Sequence, residues 1–413
     1  MTVECKKRLL IVDPTLSSAE GHSLHYDLAV AERFKGRFDD IILFADRRFT
    51  VPVNFKIKCQ PVLNWVPLDR LKGLANSVFN ALPKWRTKKS SGGDKRLVNA
   101  TIIDEVPDAV VRVGTALKAF DLFVSLCSIL LPRKPTACRD QILIQNVGMS
   151  DLFAIGAILA IPAMKSPVFH LIFRYAPDIT ASGYEAPERL ASRLLDARQA
   201  ARRKGGDIRF YSDSSMISED FDHLLNGQVY FRTIPVPVFT KLPKRPFREP
   251  RPDQPLRIGM LGAPRIEKGF GEIPKIVEKL AGLNFPVEMY IQISRGTNDP
   301  RVRATIEWLD QYTLSGQANC VPIHLLEGPV DDSIYYSWFD QIDLIIFPYQ
   351  STRYKLSTSG VFVESVHFGI LSIVPNNTWM KREYDKLFNN FKFNISISQS
   401  KIQSIRDAIY GND

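Results

Sequence analysis

Apolar runs in the first half of the chain alternate with stretches of helical periodicity. RLLIVDP, beginning at Arg8, reads as a buried strand, and SLHYDLAVAERF after it spaces Leu24, Leu28 and Ala31 as one helical face. Further strands are predicted at DDIILFADR from Asp39, AFDLFVSLC from Ala119, QILIQNV from Gln141, PVFHLIFRY from Pro167, DIRFYSD from Asp207 and VYFRTIPVPV from Val229. Helical patterns such as Ala186 to Arg203 fall between them, which is what a parallel βαβ sheet produces. The run LFAIGAILAIPAM, Leu152 to Met164, is too short to span a bilayer and contains Pro162, so it reads as a buried core helix.

Prolines then interrupt the alternation at 235, 237, 243, 246, 250, 252 and 255, and a run like that fits neither a sheet nor a helix. Beyond them the pattern restarts at LRIGMLG from Leu256, with strands predicted at FPVEMYIQIS, CVPIHLLE, DLIIFPY, ILSIVP and FKFNISI. The reading is an α/β chain of two doubly wound, Rossmann-like domains, residues 1–235 and 256–413, joined by a Pro-rich linker over 236–255 and facing each other across a cleft. One segment, residues 69–96, departs from this pattern. Leu71, Leu74, Ala75, Val78, Phe79 and Leu82 fall on one helical face, and a basic stretch follows Trp85.

Composition narrows the class. The 413 residues are 45% hydrophobic and 24% charged, as in an ordinary globular protein, and the formal net charge of +10 suits an anionic partner. The 5 cysteines are scattered, with no Cys-x-x-Cys pair, so neither a zinc site nor a disulfide framework is indicated and a reducing, cytoplasmic compartment is expected. The N-terminus shows no secretory pattern. Lys and Arg are spread without the aromatic interleaving of nucleic-acid binders, so no nucleic acid is expected as partner. Segment 69–96 has two readings, a helical flap packed on the first domain or a basic helix held at an anionic membrane surface.

Two loops of the second half carry chemistry. GAPRIEKGF follows a strand, and there Gly262 permits close backbone approach while Arg265 and Lys268 offer a bidentate fork and a point charge to a shared anion. The bland alternative is a solvated basic turn. The second loop, STSGVFVESVHFG, opens a helix near Gly360, whose N-terminal amides at Ser359, Gly360 and Val361 form an anion site. Glu364 lies one turn further in, placed to accept hydrogen bonds from sugar hydroxyls. Each loop ends a strand at the edge where open α/β sheets bind ligands.

Together LGAPRIEKGF, DLIIFPY, RYKLSTSGVFVES and FGILSIVP resemble, in order, the retaining glycosyltransferases of the GT-B fold, family GT4 (glycosyl transferase group 1). The likeness covers most of Leu256 to Pro375, with looser matches at EGHSLHYDLAVAE, SDSSMISEDF and TIPVPV. It implies a UDP- or GDP-sugar as co-substrate, no required metal or other cofactor, and a glycan or lipid-linked acceptor, as in bacterial surface polysaccharide synthesis. It puts Arg265, Lys268, Ser359, Gly360 and Gly21 on the donor diphosphate. It puts Glu364, Tyr354 and Val361 at the nucleotide and sugar, and His22, His170 and Arg174 near the reacting centre. Two departures stand out. Many members carry a second Glu eight residues before the position of Glu364, where this chain has Leu356. Many also carry an Arg where it has Ala263, with Tyr354, Lys355 and Arg265 nearby in sequence.

Competing readings are a GT-B epimerase or phosphorylase, a basic binding protein, and a degenerate, non-catalytic GT-B scaffold. Asp331 and Asp332 read as the cap of a helix rather than metal ligands, and Asp213 as a helix cap with no catalytic part.

Overall fold

The computed structural model describes residues 7–14, 16, 22–51, 55, 57–63, 108–130, 140–162, 165–181, 185–234, 236, 244–246, 254–315, 320–328, 330–390 and 399–410. Segment 69–96, the strand predicted at FKFNISI and Gly21 lie outside these residues. The chain divides into two compact units, Met1–Pro235 and Val236–Asp413.

The first unit is built on a parallel sheet of strands β1 (Arg8–Asp13), β2 (Asp40–Asp46), β3 (Lys58–Leu63), β4 (Gln141–Gln145), β5 (Val168–Phe173), β6 (Asp207–Ser212) and β7 (Arg232–Thr233). Their order across the sheet is β3-β2-β1-β4-β5-β6-β7. Both faces are covered, so β1 is buried along its whole length and reads as a continuous apolar run. Beyond the middle of the sheet Phe173, Phe210, Phe221 and Phe231 pack together, with Phe221 and Phe231 stacked at 4.4 Å between ring centroids.

Sequence and structure part in three places. AFDLFVSLC is not a strand but part of the helix Asp108–Leu130. Its buried residues Ala119, Leu122 and Leu126 repeat at helical spacing and pack toward the helix Met149–Ala160. A short apolar run does not by itself separate a strand from a buried helix. VYFRTIPVPV yields a strand of only two residues, Arg232 and Thr233. β3, which the sequence reading passed over, carries Pro61 and occupies the sheet edge, where a missing amide costs no ladder bond.

The second unit has a parallel sheet of β8 (Leu256–Met260), β9 (Val287–Ile293), β10 (Ile323–Glu327), β11 (Leu344–Ile346) and β12 (Leu371–Ile373), in the order β10-β9-β8-β11-β12. The helix Ile273–Ala281 buries Ile273, Ile276, Val277 and Leu280 against it, one stripe at the spacing a half-buried helix requires.

Both sheets therefore reverse direction between two adjacent strands, β1 and β4 in the first unit, β8 and β11 in the second. Each of these pairs is clamped at its amino end by an ion pair. Arg8 of β1 forks onto Asp140, which precedes β4, with Nε to Oδ1 at 2.7 Å and a second bond from Nη2 to Oδ2. Arg257 of β8 forks onto Asp343, which precedes β11, at 2.9 and 2.7 Å, and the Asp343 carboxylate also accepts from the Arg257 amide at 3.1 Å. Removing one partner leaves the other charge poorly solvated. Arg257→Ala is expected to lower the stability of the second unit by about 3 kcal/mol, read as a shifted midpoint in urea denaturation.

Candidate functional site

In the second unit the reversal brings two loops to one place. The first, Leu261–Gly269, leaves β8 and passes through a 3-10 turn at Ile266–Lys268. The second leaves β11 and runs through the short helix Ser351–Tyr354 to the helix Gly360–His367. They are stitched together by the amide of Gln350, which donates to the carbonyl of Glu267 at 3.0 Å.

Two glycines make this approach possible. Gly262 has φ +97°, and a Cβ built on it would lie 2.9 Å from Val361 Cγ2 and 3.2 Å from Lys268 Nζ. The lysine head, the Gly262 backbone and the start of the Gly360–His367 helix therefore share one spot. Gln292 of β9 fixes the glycine, its Oε1 accepting from the Gly262 amide at 2.7 Å. Gly269, with φ +74°, is tighter still, since a Cβ there would lie 2.0 Å from the Pro348 carbonyl oxygen. The obstacle is backbone and cannot swing aside.

The predicted residues fall as follows. Lys268 is half-buried, with Nζ 5.8 Å from the centre of the Tyr349 ring. Burial, and then the positive charge of Arg265, pull its pKa down to about 8. Arg265 is exposed and sits 3.8 Å from Glu267. Ser359 is the N-cap of the Gly360–His367 helix, its hydroxyl accepting from the Phe362 amide at 3.4 Å. The first amides of that helix have no partner within it. Val361 is buried against Gly262. Glu364 is also buried, and its Oε2 accepts from the Tyr335 hydroxyl at 2.9 Å. Tyr354 is buried beside Tyr349, ring centroids 4.4 Å apart. Leu356 and Ala263 hold no charge where the resemblance would place one. Sequence reading missed Gln292, Tyr335 and Tyr349.

At the carboxyl edge of the first sheet lies a buried polar network. Gln145, which ends β4, donates from Nε2 to Asp13 Oδ2 at 3.0 Å and to Asp27 Oδ1, and its Oε1 accepts from Arg174 Nη2 at 2.8 Å. The Arg174 guanidinium lies 4.5 Å above the Tyr26 ring and 3.9 Å from Asp213. Asp13 and Asp27 are fully buried, and burial, followed by the charge of Asp13, raises the Asp27 pKa well above the ordinary carboxylate value. One signal for Asp27 was present in the sequence, as it falls on the same helical face as Leu24, Leu28 and Ala31.

Three expectations for this unit need correction or stand outside it. His170 does not reach the carboxyl end of β5. It is the third of six strand residues, with Nδ1 3.0 Å from the Tyr211 hydroxyl and Nε2 2.9 Å from Gln141 Oε1 at the start of β4. Burial lowers its pKa to about 4, so it is a neutral hydrogen-bonding residue on the sheet face. Asp213 is not a helix cap, because Ser214 caps the helix Ser215–Leu224 and Asp213 faces Arg174. His22 begins the helix His22–Phe34, and its side chain, like Gly21, lies outside the described residues. Among the described residues no cluster of three or more His, Cys, Asp or Glu could hold a metal ion.

No protein-family model matches the chain, and no curated protein matches it in sequence. Solved structures do match in fold. An α,α-trehalose-phosphate synthase (UDP-forming) from Burkholderia vietnamiensis is 11% identical with a TM-score of 0.53, covering 100% of this chain and 96% of that one. A trehalose-6-phosphate structure from E. coli, bound with UDP-2-fluoro glucose, is 13% identical with a TM-score of 0.51, covering 98% and 96%. The lipopolysaccharide outer core galactosyltransferase WaaB, in its apo form, is 11% identical with a TM-score of 0.50, covering 98% and 99%. At such identities the likeness shows the fold, which is GT-B, with two Rossmann-like α/β units.

Gly269→Ala is expected to destabilise the second unit by about 3–5 kcal/mol, combining a left-handed alanine with a clash against fixed backbone. Gly296→Ala, with no atom within 4 Å of the new Cβ, is the control and should change urea stability by less than about 1 kcal/mol.

Proposed function

We propose that the chain is a glycosyltransferase that moves a sugar from a nucleotide-diphosphate sugar to a glycan or lipid-linked acceptor, with retention at the anomeric carbon. The observation that carries the reading is the meeting of Lys268 Nζ, Gly262 and Val361 at the reversal point of the second sheet. Bare backbone, a cation and a helix N-terminus in one spot make an electropositive cradle.

In this reading Lys268 and Arg265 bind the diphosphate, and the amides at Ser359 and Gly360 take its distal phosphate. Glu364, positioned by Tyr335, accepts from the ribose hydroxyls. The bond from C1 to the diphosphate breaks and the acceptor oxygen bonds to C1 from the same face. The acceptor's proton passes to the departing diphosphate, whose charge is offset by Lys268 and the helix dipole. Arg174, held by Gln145, Asp213 and Tyr26, supplies a cation on the acceptor side. The trehalose-phosphate synthase and galactosyltransferase likenesses support this assignment at the level of fold.

A cytoplasmic protein docked at the inner membrane surface fits the lipid-linked acceptor. The basic sequence of 69–96 and the exposed Leu117, Phe120 and Val124 on one face of the helix Asp108–Leu130 support that location. No described helix is long and apolar enough to cross a membrane.

Calorimetry with UDP, GDP and ADP tests the donor half. One of the diphosphates should bind, and Lys268→Ala should weaken it about 10- to 100-fold, the loss of one charge-assisted contact. Because Lys268 is cationic below about pH 8 and neutral above, affinity should fall between about pH 7 and 9 in the wild type. That fall should be absent in Lys268→Met, and unchanged affinity in both Arg265→Ala and Lys268→Ala would sink the proposal.

Tyr335→Phe gives an independent check. Without its hydroxyl the Glu364 carboxylate loses its anchor, so the preference for the ribonucleotide over its 2′-deoxy analogue should shrink about five-fold, measured by competition.

A further inference from the structure

The reversal between β1 and β4 should open a second crevice, and the first unit has a cavity there. It encloses about 260 Å³ and is lined from the strand ends by Pro14 after β1, Leu63 of β3, Asn146 after β4 and Tyr175 after β5. Lys118, on the helix Asp108–Leu130, and Asp151, in the first turn of the helix Met149–Ala160, face it from the sides. This volume is of the order needed for one sugar ring.

The lining is built for hydrogen bonding. Asn146 takes a left-handed conformation, φ 57°, and its Oδ1 is shielded from solvent with no hydrogen-bond partner among the described residues. An unsatisfied buried acceptor at a strand end is a hydrogen-bonding position open to a ligand. Asp151 is buried as well, and its Oδ2 accepts from the Gly148 amide at 2.8 Å. Thr180 adds a hydroxyl, while Leu122 and Ile179 offer apolar wall for the C–H face of a ring.

The charge balance decides which kind of ring. Among the described residues Lys118 is the one basic side chain of the lining, and Asp151 attracts it. The same carboxylate already satisfies the Gly148 amide at the helix N-terminus, the group that would otherwise hold an anion. Among the described residues the lining therefore sets its cation beside a carboxylate, which disfavours a phosphate or a carboxylate on the ligand.

We propose that this cavity is the acceptor subsite and takes a single uncharged sugar ring, with Asp151 and Asn146 gripping its hydroxyls. The inference rests on the glycosyltransferase reading and adds the acceptor class, a neutral rather than a phosphorylated sugar.

The test is saturation-transfer NMR on the full chain with methyl glycosides of glucose, galactose, mannose and N-acetylglucosamine, and with glucose 6-phosphate as the anionic comparison. At least one neutral glycoside should bind, and more tightly than the sugar phosphate. Asp151→Asn should weaken it at least five-fold, and Ile179→Trp, which fills the cavity from its mouth, should abolish the signal. Calorimetry of the nucleoside diphosphate found for the wild type, run on both variants, should change less than two-fold and shows that they are folded. The proposal is overturned if no neutral glycoside binds, if both variants bind as wild type, or if glucose 6-phosphate binds better. Sugar binding that behaves as expected in a protein with no affinity for any nucleoside diphosphate upholds the cavity as a sugar site and removes the donor assignment instead.

Discussion

Where two neighbouring parallel strands send their connections in opposite directions, no crossover covers the gap between their carboxyl ends. The chain imposes this twice, between β1 and β4 and again between β8 and β11. A crevice at a strand reversal is useful only if the two strands hold their register. In both units that duty falls to an arginine at the start of the first strand and an aspartate just before the fourth, Arg8 with Asp140 and Arg257 with Asp343. The forks hold the amino ends together. The carboxyl ends are then free to carry loops whose residues serve a ligand rather than the sheet.

The second unit shows what such a loop costs locally. Gly262 and Gly269 both adopt left-handed backbone, and Lys268 is drawn into a half-buried position that depresses its own charge. None of this stabilises the fold. The Gln292 bond to Gly262 and the Gln350 bond to Glu267 offset the strain by fixing the loop from β9 and from β11. A cation held this way, poorly solvated before any ligand arrives, gains more from a phosphate than an exposed lysine would.

The fold was legible in the sequence because apolar strands separated by amphipathic helices admit few other arrangements. β1, β2, β4, β5 and β6 and all five strands of the second unit fall within predicted runs. AFDLFVSLC failed because the helix it belongs to is apolar nearly all round, which hides the period. Of the candidate site, the loop residues could be read because Gly, Lys and Ser near a strand end have local meaning. Gln292, Tyr335 and Gln145 could not, since each acts across the sheet on a residue far away in sequence. Asp27 lies between the two cases, an acid on an otherwise apolar helical face. His170 misled for the opposite reason. It stands in the right strand, but three positions before its end, and there its ring is already bound on both sides to Tyr211 and Gln141.

The two reversal points share an architecture and differ in chemistry, and the difference reduces to what sits in the first turn of one helix. At Gly360–His367 the cap is the neutral Ser359, and no acid occupies the first turn. The start of that helix lies beside Lys268 with no acid in its first turn, an arrangement that suits a negative charge. At Met149–Ala160 the cap is Gly148, and Asp151 folds back to take its amide. That carboxylate takes the amide at the helix start and attracts Lys118, and the described residues of this edge offer amide, hydroxyl and carboxylate oxygens that suit hydroxyl groups. A transfer reaction needs one partner that leaves as an anion and one that arrives as an alcohol. In the proposed reading, two copies of one sheet design, differing in what sits in the first turn of one helix, serve the two partners.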